Sequence, residues 1–243
     1  MADLRIGTAT SAPAAGTLKL GSTDISKIYS GSTLVWPIED DPSSDVCGIE
    51  FTTVNTSTTA VTSGSPIVIA TSASDWALKI NQGVAAAAYY DYDIANASRG
   101  LYYNTYAFGV IQPQTGFRKP TVSDITTLIN SPCSDTSLNP PNKNSLATAA
   151  GTGNWDSSTF TNTNDRGLSG LNIAGYGLLS TNPNVVGTFI KNQLRGGFWY
   201  DNSGQFYGIV IGDINSSVTY ITYQGSGSAS TAGFNIRFCK DIP

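Results

Sequence analysis

Asp91, Asp93, Asp201 and Asp213 are the acids whose placement could support paired-carboxylate chemistry. Such pairs hydrolyse glycosidic bonds when two carboxyl groups face each other at about 5 to 10 Å. Each of the four sits where an Asp more often shapes a turn than moves a proton, and the turn reading is preferred. The rest of the catalytic inventory is thin. The chain has no histidine, which removes Ser–His and Cys–His nucleophile pairs, His-ligated zinc and the commonest general base. Its three cysteines, Cys47, Cys133 and Cys239, lack metal-ligand spacing, and an odd number cannot all pair within one chain. In a protein made in a reducing cytoplasm they read as free, buried thiols. No metal site, no cofactor and no enzymatic activity are predicted.

The second chemistry on offer is recognition. Trp199, Tyr200, Tyr207, Tyr220 and Tyr223 crowd the last fifth of the chain beside Asn202, Asp213 and Asn215. Together they supply stacking faces and hydrogen-bonding edges, which suits a metal-independent site for a host-surface glycan or protein. Alternation along 218–223 puts Tyr220 and Tyr223 on opposite faces of a strand, so part of the set belongs to the core. Charged residues are only 12% of the 243, and 13 basic against 17 acidic side chains leave a net charge of −4. No Lys/Arg cluster follows a phosphate backbone, which argues against nucleic acid. No apolar run reaches the roughly 18 residues of a membrane span, so no membrane insertion is expected. The first residues lack the basic flank and apolar core of a secretion signal, and exit by cell lysis with assembled particles is the expected route. Asn-x-Ser/Thr triplets begin at Asn55, Asn96 and Asn215; a chain so rich in Asn, Ser and Thr produces them by chance.

The elements that must position these groups begin with short strands over residues 3–36. Ile28 and Tyr29 are separated from Leu34 and Val35 by Ser30, Gly31, Ser32 and Thr33, a hairpin signal. A unit of this size buries little area alone, so residues 1–37 read as an anchor that folds against other subunits. Residues 38–45, within PIEDDPSSD, are linker chemistry. From residue 46 to 243 the pattern is a second domain. Strands lead into a helix in SASDWALKINQGV, capped by Ser74, carrying Trp76, Leu78 and Ile80 and ending at Gly83. A second helix lies in TVSDITTLINS, where Thr121 and Asp124 have capping-box spacing and Val122, Ile125, Leu128 and Ile129 share a face. Strands return from residue 198 around a DNSG turn. In the last of them Phe234, Ile236 and Phe238 alternate with Asn235, Arg237 and Cys239, which predicts one buried face and one polar or covered face. The predicted class is α+β, with two helices and an antiparallel sheet.

Several words in order carry a resemblance: Asp75–Trp76, AYYDYD (88–93), GLYYN (100–104), GFRKPTVSDITTLIN (116–130), GTGNWD (151–156), GGFWY (196–200) and GFNIRFCKD (233–241). Over residues 74–241 the chain resembles the Fibrobacter succinogenes major paralogous domain, a family of C-type-lectin-like architecture found in Bacteroidetes surface proteins and phage virion proteins. It departs from that family in having Ile125 where the helix word usually carries Trp, and GLSGLNIAGYGL (167–178) where a Pro-Gly-Gly word is usual. The words of calcium-dependent sugar-binding lectins are absent. The segment GSTDISKIYSGSTLVWP (21–37) is similar to a short module at the start of phage virion proteins.

The resemblance implies a non-enzymatic structural protein of a bacteriophage virion: a head fibre, capsid decoration or tail-fibre tip. Residues 1–37 would attach it to other virion proteins, and the lectin-like domain would serve host-surface adhesion. A homotrimer on the virion surface is expected, since fibre-like projections assemble around symmetry axes. A bacterial cell-surface adhesin is the first alternative, and a carbohydrate-processing enzyme the second.

Overall fold

The structure is a computed structural model. It describes residues 48–130, 177–180, 183–190, 195–214 and 231–242, together with 171, 173 and the strands of residues 19–46 and 217–225. In residues 19–46 and 211–225 only the backbone is described. The chain divides into a unit of Met1–Asp40 and a unit of Asp41–Pro243.

In the first unit β1 (Lys19–Leu20) pairs antiparallel with β2 (Thr23–Asp24), and β3 (Ile28–Ser30) with β4 (Thr33–Trp36). The second ladder is the predicted hairpin, with Ser30 opposite Thr33 across Gly31 and Ser32. Among the described residues each ladder has two strands. Isolated two-stranded ladders are marginal in water, because one pair of strands cannot bury a face.

The second unit begins inside the segment read as a linker. Ser43, Ser44 and Asp45 belong to β5 (Ser43–Val46), which pairs with β6 (Ile49–Thr52). Pairing to a buried neighbour overrides the turn-like composition, since β6 contributes Ile49 and Phe51 to the core. β6 also pairs with the last strand, β16 (Cys239–Asp241), so the two ends of the unit lie in one antiparallel sheet.

Between these ends, β7 (Val68–Ile69) leads to α1 (Ala73–Asn81). Its cap is Ser72, two residues before the predicted Ser74: the Ser72 hydroxyl accepts from Asp75 N at 3.1 Å. Trp76 and Ile80, one turn apart, are buried, whereas Leu78 is 48% exposed because two residues along a helix is more than half a turn away. Parallel to β7 runs β8 (Ala86–Ala88), antiparallel to β9 (Tyr102–Tyr103). A short helix not foreseen from the sequence, α2 (Thr105–Val110), follows. Buried Asn104 caps it by accepting from Ala107 N at 2.8 Å, and its amide also donates to Val84 O. The predicted helix α3 (Val122–Asn130) carries the capping box: Thr121 N donates to Asp124 Oδ2 at 2.6 Å, and Asp124 N to Thr121 Oγ1 at 3.5 Å. Ile125 and Leu128 face the core, but Val122 is 42% exposed. No helix among the described residues is long and apolar enough to cross a membrane.

The last third holds β10 (Leu178–Leu179) against β11 (Phe189–Ile190), then a long hairpin of β12 (Arg195–Asn202) and β13 (Gln205–Ile214). β13 also pairs with β14 (Ser217–Val218) and β15 (Ile221–Gly225). The architecture is mixed α+β with antiparallel sheets. The hairpin is covered on both faces. Trp199 and Val210 pack with Phe108, Phe234 and Ile236 on one side; Phe198, Tyr200 and Ile209 pack with Phe51, Ile125 and Leu128 on the other.

The segment 232–239 runs through the middle of this packing. Phe234 exchanges backbone hydrogen bonds with Tyr103, Asn235 O accepts from Trp199 N, and Phe238 O accepts from Thr52 N. Every residue from Ala232 to Cys239 is buried, so the predicted one-sided burial gives way to burial all round. The polar members are satisfied inside: Asn235 Nδ2 donates to Leu101 O at 2.9 Å, and Arg237 donates to Asn55 Oδ1, Thr52 O and Leu171 O.

Candidate functional site

The predicted recognition set is divided by strand alternation. Trp199 and Tyr200 are neighbours on β12 and point to opposite faces. Trp199 is fully buried. Its ring meets Phe234 edge-on at 4.7 Å, and its Nε1 donates to Tyr103 O at 2.7 Å, so it is a core residue and not a stacking platform. Its cross-strand partner is Gly208, where a Cβ would come within 2.5 Å of the Phe234 ring. The bare glycine is therefore what lets Phe234 seat against Trp199.

On the other face Tyr200 and Tyr207 are cross-strand partners, with ring centroids 5.6 Å apart and planes 22° from parallel. Tyr200 is only 5% exposed, while Tyr207 is half-buried and its hydroxyl donates to Gln205 Oε1 at 3.0 Å. Burial, and then the neighbouring Tyr207, push the Tyr200 phenol above its ordinary value. One row further out, on the same face, Asn202 and Gln205 face each other across the turn. Ser203 (φ 54°) and Gly204 (φ 84°) both adopt left-handed backbone, the geometry of a two-residue hairpin turn matched to strand twist. Gln205 is the member sequence reasoning missed. Treating DNSG as a four-residue turn hid it, whereas a two-residue loop at Ser203–Gly204 makes Asn202 and Gln205 partners.

The remaining predicted residues do not join this group in the described structure. Asp213 lies on β13 opposite Val218, and Tyr223 on β15 opposite Gly208; their side chains are outside the description. Asn215 and Tyr220 lie outside the described residues.

Two of the four candidate acids have turn tasks. Asp201 Oδ1 accepts from Gly204 N at 2.7 Å, and Asp93 Oδ1 accepts from Ala95 N at 2.9 Å. Asp91 is exposed, in a 3-10 turn (Tyr90–Tyr92) where Asp91 and Tyr92 both have positive φ. That costly backbone is held by aromatic packing. Tyr92 donates to Gly187 O, Arg99 lies 4.1 Å from the centre of the Tyr90 ring, and Phe189 packs against Tyr90, Tyr92 and Tyr102. The triplet amides at Asn55 and Asn96 are likewise in use, donating to Arg99 O and Tyr90 O.

The densest ionic cluster surrounds Arg118. Its guanidinium grips both oxygens of buried Asp124 and also pairs with Asp241, which is 79% exposed. The hydrogen bonds it donates to Asp124 raise Arg118 above its ordinary value. Burial pushes the Asp124 carboxyl up, but hydrogen bonds from Arg118 and Thr121 outweigh it and leave the group below the usual range. Cys239, beside both, is a buried free thiol pushed up by burial and then by Asp124. A thiol held protonated is a poor nucleophile, so this Cys–Asp–Arg cluster is a structural tie. Residues 117–121 act as a strap. Arg118 exchanges backbone hydrogen bonds with Cys239, Lys119 Nζ donates to Gly109 O, and Pro120 O accepts from Asp201 N. Among the described residues no group of three or more Cys, Asp or Glu could hold a metal ion. Cys47 and Cys133 lie outside the described residues.

Among the described residues, the end of the β12–β13 hairpin places half-buried Tyr207, stacked on buried Tyr200, beside the amides of Asn202 and Gln205, and none of these four side chains is charged. Compared with known proteins, the chain matches no family model, no curated protein and no solved structure.

Proposed function

We propose that this chain is a non-enzymatic structural protein of a bacteriophage virion, a head fibre, capsid decoration or tail-fibre tip, that displays a lectin-like domain for host-surface adhesion. The observation that carries the reading is the separate N-terminal unit. It has only two-stranded ladders among its described strands, an arrangement that needs a partner surface to be stable. Other virion proteins would supply that surface to residues 1–37, and a homotrimer would supply more of it. The lectin-like part of the reading draws support from one antiparallel sheet that holds the domain's first two strands and its last, and from helices followed by an antiparallel hairpin sheet. A role without catalysis draws support from Asp93 and Asp201 being spent on turns and Cys239 being held as a thiol.

The test is particle incorporation. Full-length chain should appear by mass spectrometry in purified particles at a fixed copy number. Chain lacking residues 1–37 should stay folded and soluble but be missing from them. Truncated chain on particles at normal copy number would refute the attachment role.

A further inference from the structure

We infer that the end of the β12–β13 hairpin is a metal-independent binding site for a neutral sugar, formed by Tyr207, Asn202 and Gln205 with the buried Tyr200 ring stacked behind Tyr207; this rests on the adhesion reading above and names its ligand class. The four residues form two consecutive cross-strand pairs, Tyr200 with Tyr207 and Asn202 with Gln205. Partners two apart along each strand share a face, and the rows are about 6.8 Å apart. An aromatic row therefore stands directly beside an amide row. The tyrosine rings lie nearly parallel, and the outer one, Tyr207, is partly open to solvent. A pyranose ring presents apolar C–H groups on its flat side and hydroxyls at its rim, which matches an aromatic face bordered by amides.

Among the described residues the amides keep hydrogen-bonding capacity to spare. Gln205 uses only its carbonyl oxygen, to accept from Tyr207, and among the described residues neither its Nε2 nor the Asn202 amide has a partner. They offer donors and an acceptor to a ligand at no cost in broken protein bonds. None of the four residues is charged. The nearest carboxylate in sequence, Asp201, stands on the opposite face by alternation and is held by Gly204 N. The four side chains offer no ion pair to the carboxylate of a sialic acid, to a sulfate or to the ammonium of an amino sugar, so they favour an uncharged ligand. The ligand class is therefore a neutral hexose or N-acetylhexosamine.

The experiment uses the full-length chain on an array of neutral hexose and N-acetylhexosamine oligosaccharides, with sialylated and sulfated ones alongside, in calcium and in EDTA. Titration calorimetry follows on the best neutral probe. Binding to neutral probes, unchanged by EDTA, is expected. Tyr207→Ala should weaken it at least about tenfold. Asn202→Ala, which breaks no described hydrogen bond, should weaken it about threefold to tenfold with an unchanged melting curve. Tyr207→Phe keeps the ring and should bind within about twofold of the parent. Failure to bind any neutral probe, preference for anionic probes, loss in EDTA, or indifference to both Ala substitutions would overturn the site. Sugar-blind chain that still occupies particles and binds host cells removes this inference alone. Sugar-binding chain that never enters particles removes the virion reading alone.

Discussion

Arg237→Met tests whether the buried C-terminal segment holds the domain together as described. The guanidinium is 2% exposed and donates from Nε to Asn55 Oδ1 at 2.8 Å, and from one terminal nitrogen to Thr52 O at 2.8 Å and Leu171 O at 3.2 Å. Methionine fills much of the stem's volume but leaves these acceptors without that donor. An unsatisfied buried acceptor costs about 1 to 3 kcal/mol. The two buried acceptors, Thr52 O and Leu171 O, would give up to about 6 kcal/mol, partly exposed Asn55 less, and relief from burying a cation offsets part of it. A net loss of about 3 to 5 kcal/mol is expected, a large share of a typical stability of about 5 to 15 kcal/mol. At about 2 to 4 °C per kcal/mol for a chain of this size, Tm should fall by roughly 6 to 20 °C. The assay is urea unfolding followed by circular dichroism and tryptophan fluorescence, reading the midpoint at constant m. Asn55→Ala and the double variant complete a cycle, in which Arg237 and Asn55 should couple by about 1 kcal/mol or more. A methionine variant within about 1 kcal/mol of the parent, with no coupling, would show that these bonds do not hold the segment.

Two further outcomes follow from local geometry. Ser203→Gly removes the penalty of a left-handed non-glycine residue at the hairpin turn and should raise stability by about 0.5 to 1 kcal/mol, read as a higher Tm; a lower one would contradict the turn geometry. Stability should also decline with alkali. Burial raises the folded-state values of the Cys239 thiol and the Tyr92 phenol above their ordinary 9.0 and 10.0, so the unfolded chain loses these protons first. Their contribution is complete below about pH 8, begins to be withdrawn as pH climbs past 9 for the thiol and past 10 for the phenol, and goes on falling up to their raised folded-state values. Urea midpoints from pH 7 to 10.5 should show the decline, shallower in Cys239→Ala, and a flat profile would contradict the burial of both groups.

What the sequence makes legible here is what is encoded within a few residues. Thr121 and Asp124 specify the start of α3 because a capping box is complete in four positions. The hairpin of β3 and β4 is legible for the same reason. The cap of α1 was equally local: Ser72 and Asp75 have the same spacing as Thr121 and Asp124, and Ser74 merely competes as a second serine within hydrogen-bonding distance of the first. α2 is different. Six residues give less than two turns of periodicity, so only Asn104, whose cap also binds back to Ala86 N and Val84 O, marks its start.

The candidate site shows where period-two reasoning needs a second signal. Alternation correctly sorts Trp199 from Tyr200, but it says nothing of whether a face is covered. The covers come from far along the chain: Phe234 over Trp199, and Phe51, Ile125 and Leu128 over the Tyr200 face. A local trace of that covering does exist. Phe198, Trp199 and Tyr200 are three consecutive large apolar residues, and Ile209, Val210 and Ile211 another run; unbroken runs mark strands buried on both faces. Polar residues return at Asp201, Asn202 and Gln205, where the covering elements end and the hairpin reaches solvent. Counting aromatics points to the middle of the strand, which is core. The place where an apolar run gives way to amides, with one half-open tyrosine still in register, is where a strand covered on both sides can present a binding face.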